Sequence, residues 1–177
     1  MLTWPVSIRL VEEGLVDWYP WVVLTHVLAA FGFVLSHGVS AYAAFAIRRE
    51  RDPQRIGALL DLSGLGIGGM YAGLGILLIA GIAAAIMGNW FGQIWPWASI
   101  GLLVLIAVAM FAMGTRYYAT VREAVGKSKA EPSGEPPAPM SPAELAALLD
   151  NRRPEALALI GLVGLGLIIW LMELKPF

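Results

Sequence analysis

The residues best suited to chemistry in this chain are its two histidines, His26 and His37, and both lie inside an apolar stretch. That stretch is WVVLTHVLAAFGFVLSHGVSAYAAFAI, Trp21 to Ile47, with the histidines eleven residues apart. At about 100° per residue, this spacing is roughly 20° off three full turns, so both imidazoles share one helix face about 16–17 Å apart along the axis. An ionisable group at membrane depth is costly and therefore points first to function. Ala29, Ala30, Phe33, Ser40, Ala41 and Ala44 share the face, with Thr25 and Ser36 close by. Their small size leaves room for a neighbouring helix or a flat cofactor.

Three readings of the histidines stay open. In the first, each is a neutral packing residue that hydrogen-bonds a backbone carbonyl or a Ser/Thr hydroxyl across the helices. In the second, His26 and His37 ligate haem b in a quinone-linked electron-transfer subunit, one haem in each leaflet. A bis-His haem needs a second imidazole at the same depth, and the chain has no third histidine. A homodimer mate, a histidine from a different subunit, or a methionine (Met70, Met87, Met110, Met113 or Met172) would have to supply it. In the third, His26 and His37 hold copper or another transported metal, since imidazole and thioether suit copper. The methionines, however, follow no repeating spacing, and the spans contain no evident polar path.

Other chemistries are excluded more firmly. There are no cysteines, hence no disulfides, thiolate zinc sites, iron–sulfur clusters or covalently attached haem. No Walker loop, Gly-x-Ser-x-Gly or His-Glu-x-x-His occurs. No carboxylate lies inside a predicted span except Asp61, at its edge, where Arg55 or Arg122 can neutralise it. A net charge of −1 provides no field for nucleic acid.

The elements that position the histidines are membrane spans. The 177-residue chain is 58% hydrophobic and only 14% charged, with a mean hydropathy of +0.71, whereas soluble domains carry about 25% charged residues. Residues 1–20 read as an interfacial segment with Trp4, Trp18 and Tyr19 at headgroup level. Glu12, Glu13 and Asp17 interrupt any signal-peptide core. Residues 21–125 hold three spans, the first two joined by a charged turn at 48–55. Within that turn Asp52-Pro53 is a helix start. The second span, Leu62 to Met87, carries Gly64/Gly68 and Gly69/Gly73, a small-xxx-small pattern that lets helices approach closely. The uncharged loop Gly88 to Trp97 brings three tryptophans to the interface, and Pro96 opens the third helix, which runs past Gly114 towards Arg122. Residues 126–153 form a proline-rich linker followed by a short helix started by the capping box Ser141-Pro142-Ala143-Glu144. Its Leu145, Leu148 and Leu149 are expected to rest on the membrane. Residues 154–177 form the fourth span.

All the lysines and arginines except Arg9 and Lys175 lie in two segments: Arg48, Arg49, Arg51 and Arg55, then Arg116, Arg122, Lys127, Lys129, Arg152 and Arg153. The positive-inside rule places both segments in the cytoplasm, and both termini and the tryptophan loop outside.

Leu24-Thr25-His26-Val27-Leu28-Ala29-Ala30 and the turn Arg48-Arg49-Glu50-Arg51-Asp52-Pro53 resemble small bacterial membrane proteins that look distantly related to the membrane part of copper-resistance-D proteins. The resemblance extends as hydropathy over residues 1–115 and as motif over far fewer. It implies four membrane helices and a link to metal or haem, and no established activity.

The expectation is an all-α membrane protein of the bacterial inner membrane, with four transmembrane helices in an up-down bundle and both termini outside. It is expected to have no catalytic centre of its own. It is read as a small subunit or accessory protein of a larger membrane complex, packed through Gly64, Gly68, Gly69 and Gly73 and through the histidine face. Its partners are then membrane lipid, other membrane subunits or a homodimer mate.

Overall fold

The computed structural model describes residues 17–127 and 140–176. Along them run α1 (Tyr19–Arg49), α2 (Pro53–Met87), a 3-10 turn (Trp90–Gly92), α3 (Ile94–Ala124), α4 (Pro142–Leu149) and α5 (Arg153–Leu174). Four stretches, α1, α2, α3 and α4 with α5, are long and apolar enough to cross a bilayer. Among the described residues there is no strand. The architecture is all-α, with four long apolar helices. The readings placed on Trp4, Arg9, Glu12, Glu13, most of the linker and Phe177 lie outside the described residues.

Local chemistry sets the helix ends. The Asp52 side chain accepts from the Gln54 amide at 2.9 Å, with Pro53 at the first helical position. Ser141 and Glu144 close both arms of the capping box of α4. The third helix starts at Ile94, two residues before the expected Pro96. Proline is tolerated there because the first four amides of a helix have no intrahelical acceptor. Between α1 and α2 the Glu50 carboxylate accepts from the amides of Arg51 and Asp52, which hold it below the ordinary glutamate range.

Successive long helices run in opposite directions, so the protein has one aromatic and one charged end. At the aromatic end Trp90 Nε1 donates to Tyr19 Oη at 3.3 Å. The Lys175 ammonium sits 4.7 Å from the Trp90 ring centroid and 5.8 Å from that of Trp95. At the charged end Asp61 pairs with Arg122 at 3.4 Å and with Lys127, while Arg55 turns instead to Glu50 and Asp52. Arg48 of α1 pairs with Glu155 of α5.

The lateral order is α2, α1, α5, α3. Helix α1 packs along α2 and touches α5, α5 packs along α3, and α2 and α3 barely meet. The α2–α3 connection is made at the charged end, where Arg122 also donates to the Leu60 carbonyl and Lys127 to that of Gly57.

The apolar face of the short helix α4, expected to rest on the membrane, is turned into the protein. Leu145 and Leu149 are fully buried against Ile47 of α1, Ile56 and Leu60 of α2, and Tyr117, Val121 and Ala124 of α3. Tyr117 Oη, which accepts from the Asn151 amide at 2.8 Å, lies at the same joint. An amphipathic helix needs only an apolar surface, and here the ends of three helices provide one.

Candidate functional site

The seam between α1 and α2 is set by glycines. A β-carbon on Gly66 would stand 2.9 Å from the Ser36 carbonyl oxygen, one on Gly69 2.7 Å from Ser36 Oγ, and one on Gly73 2.9 Å from the Phe33 amide nitrogen. On Gly81 it would stand 2.8 Å from His26 Cε1. Gly66, Gly69 and Gly73 are spaced i, i+3, i+7, which puts them on one helix face, so α1 lies almost backbone to backbone on α2.

Both histidines turn into this seam. His26 Nδ1 lies 2.8 Å from the Leu77 carbonyl oxygen. A carbonyl can only accept, so Nδ1 carries the proton there. His37, halfway along α1, places Nδ1 3.3 Å from the thioether sulfur of Met70 on α2. Its ring stacks on Phe33 one turn earlier, with centroids 6.0 Å apart and planes within 3°. On its other side, His37 Nε2 lies 3.7 Å from the point where a β-carbon on Gly161 of α5 would stand, and the Met110 methyl of α3 lies 2.8 Å from the same point. His37, Met70, Gly161 and Met110 thus come from all four long helices and meet near mid-length.

Of the sequence-selected residues, His37 and Met70 are brought together and Met110 joins them, while His26 stands apart on Leu77 and Gly81. Gly69 and Gly73 pack inside the chain. Gly64 and Gly68 do not: a β-carbon on either would meet nothing within 4 Å. Gly66 and Gly81 went unselected by sequence, although the i, i+3, i+7 spacing of 66, 69 and 73 marks a stripe.

A haem between α1 and α2 does not fit these residues. The ring would have to part backbones that meet through Gly66, Gly69 and Gly73, and break the His26–Leu77 and His37–Met70 contacts. Bis-His pairing across a homodimer likewise needs both imidazoles on an outer face, and both point inward. The groove outside the seam, about 370 Å³ and lined by Ala29, Gly32, Ser36, Gly69 and Gly73 among others, presents neither histidine.

Comparison of the chain with protein-family models, with curated proteins and with solved structures finds no match.

Proposed function

We propose that this chain is a small accessory subunit of a larger assembly in the bacterial inner membrane, docked through the glycine face that α2 turns away from α1. The observation that carries the reading is the open space around Gly64 and Gly68. Gly75 is open as well and lies within about 40° of both around the helix. Glycine inside a helix costs about 1 kcal/mol relative to alanine, and a flat notch facing lipid gains nothing in return. Against a second helix, the same notch permits the close approach on which membrane helix association depends. The histidine face of α1 is occupied within the chain, which leaves this face of α2 as the docking surface. Lipid covers the remaining outward apolar side chains.

Two experiments test the reading. Wild-type protein extracted from its native membranes in mild detergent should migrate on a native gel well above its 19.0 kDa. Gly64→Leu with Gly68→Leu should run as the free chain with an unchanged melting temperature. A wild type that is always free, or a double variant that stays assembled, overturns the docking reading. The mass of the assembly distinguishes a second copy from a different subunit.

In this reading the charged end faces the cytoplasm and the tryptophan end faces outward, as the distribution of Lys and Arg favours. The chain has no cysteine, so single substitutions can report sidedness. A membrane-impermeant maleimide should label Gln93→Cys in intact cells and Gln54→Cys only after permeabilisation. The reverse pattern inverts the topology.

A further inference from the structure

We propose that Arg116 of α3 and Arg153 of α5, with Arg152 beside them, form a binding site for the phosphate of one anionic phospholipid at the charged end of the protein. The proposal stands whether or not α2 docks a partner, and whichever leaflet meets this end. Arg153 is held against α3 at two points. Its Nη1 donates to the Met113 carbonyl at 2.9 Å, and its Cζ lies 5.2 Å from the Tyr117 ring centroid. Met113 and Tyr117 are one turn apart, so the guanidinium spans that turn. Arg116 follows Met113 by three positions, and residues three and four apart are neighbours on a helix surface. Its side chain therefore starts beside the Arg153 guanidinium. Of the five N–H donors that guanidinium carries, only one has a partner among the described residues.

Charge calls for an anion here. Arg48 pairs with Glu155, Arg55 with Glu50 and Asp52, and both Arg122 and Lys127 with Asp61. Arg116, Arg152 and Arg153 are exposed, and among the described residues no carboxylate pairs with any of them. Glu155, two residues after Arg153, is already taken by Arg48. Neighbouring guanidinium groups repel one another until an anion joins them, and their planar forks match phosphate oxygens bidentately. The face below the arginines commits that phosphate to a lipid. Ala112 and Leu105 precede Arg116 by four and eleven residues and share its side of α3. Both are exposed, Leu105 at 64%. Leu105 stands about 16–17 Å from Arg116 along the axis. One leaflet's hydrocarbon is roughly 15 Å deep. A phosphate at Arg116 thus lays its acyl tails along an apolar face of matching length, from which a free phosphate ion gains nothing.

The test is native mass spectrometry of the purified full-length protein in nonionic detergent, with equimolar phosphatidylglycerol and phosphatidylcholine carrying the same tails. One phosphatidylglycerol per chain should be retained in preference to phosphatidylcholine. Arg116→Gln should weaken that retention about fivefold, the effect of removing one arginine from beside an anionic lipid surface. Arg116→Gln with Arg153→Gln should abolish the preference. Arg55→Gln removes the same charge at the α1–α2 turn and should leave it unchanged. Competition on the wild type, which needs no variant to fold, should show phosphatidylglycerol undisturbed by excess inorganic phosphate. A wild type without the preference, a folded double variant that keeps it, or an equal loss in Arg55→Gln overturns the site. Displacement by inorganic phosphate overturns the lipid as its occupant.

Discussion

Replacing Leu149 with alanine should destabilise the protein by about 2–5 kcal/mol, the range for removing a fully buried leucine. The size of the effect follows from where this protein keeps its hydrophobic core. Inside a bilayer, helices gain no hydrophobic energy by packing on one another, because lipid chains are as apolar as leucine. Leu35, Leu65 and Leu162, each more than 70% exposed, therefore contribute little to tertiary structure. The cluster at the charged end differs. Leu149, Leu145, Ile47, Ile56 and Val121 are the largest fully buried side chains among the described residues, and they join α4 to the ends of α1, α2 and α3. With the charged end in water, as the proposed topology has it, burial there removes apolar surface from water rather than from lipid, so each side chain contributes at the full aqueous rate. Leu149→Ala should lower the unfolding midpoint in a denaturing-detergent titration and speed amide exchange along α4 first. Leu162→Ala, on the lipid face, should change stability by no more than about 0.5 kcal/mol. Equal effects from the two substitutions would mean that α4 holds nothing together.

The four spans were legible from sequence because length and hydropathy are one-dimensional quantities: an apolar run either is long enough or is not. Asp52-Pro53 and the Ser141–Glu144 box were legible for a related reason, since a cap is completed within a few residues. Destinations were harder to read. The leucines of α4 announce an apolar face, but a lipid surface and the ends of three helices accept that face equally. Asp61 was matched to Arg55 or Arg122 and pairs with Arg122, while its second partner Lys127 lies beyond the end of α3 and reaches back only because the chain turns there. The glycines illustrate the same limit. Two small-residue stripes share α2, and spacing identifies each stripe without saying which one meets α1. The histidines were readable in sharing a face, but not in partner, because five methionines competed and only the antiparallel register brings Met70 to His37.

That register rests on Gly73, and Gly73→Ala should be as damaging as a core substitution although it adds a single carbon. The new β-carbon would stand 2.9 Å from the Phe33 amide nitrogen and 3.1 Å from its α-carbon. A side chain in the way can rotate, but a helical backbone cannot, so α1 and α2 must separate along the seam. Overpacking of this kind costs about 1–3 kcal/mol, and a clash with backbone belongs at the upper end. The displacement also lengthens the His37–Met70 and His26–Leu77 contacts, both of which depend on the same close approach. Gly68→Ala on the opposite side of α2 is the control: its β-carbon meets nothing within 4 Å, and alanine is the better helix former by up to about 1 kcal/mol. The isolated Gly68→Ala chain should melt at or slightly above the wild-type temperature, and Gly73→Ala well below it. If the two melt alike, the glycines at 66, 69 and 73 do not set the distance between α1 and α2. If Gly73→Ala alone is unstable, an alanine-to-glycine reversal at a neighbouring seam position, Ala30→Gly or Ala29→Gly on α1, should recover part of the loss by letting the backbone re-seat.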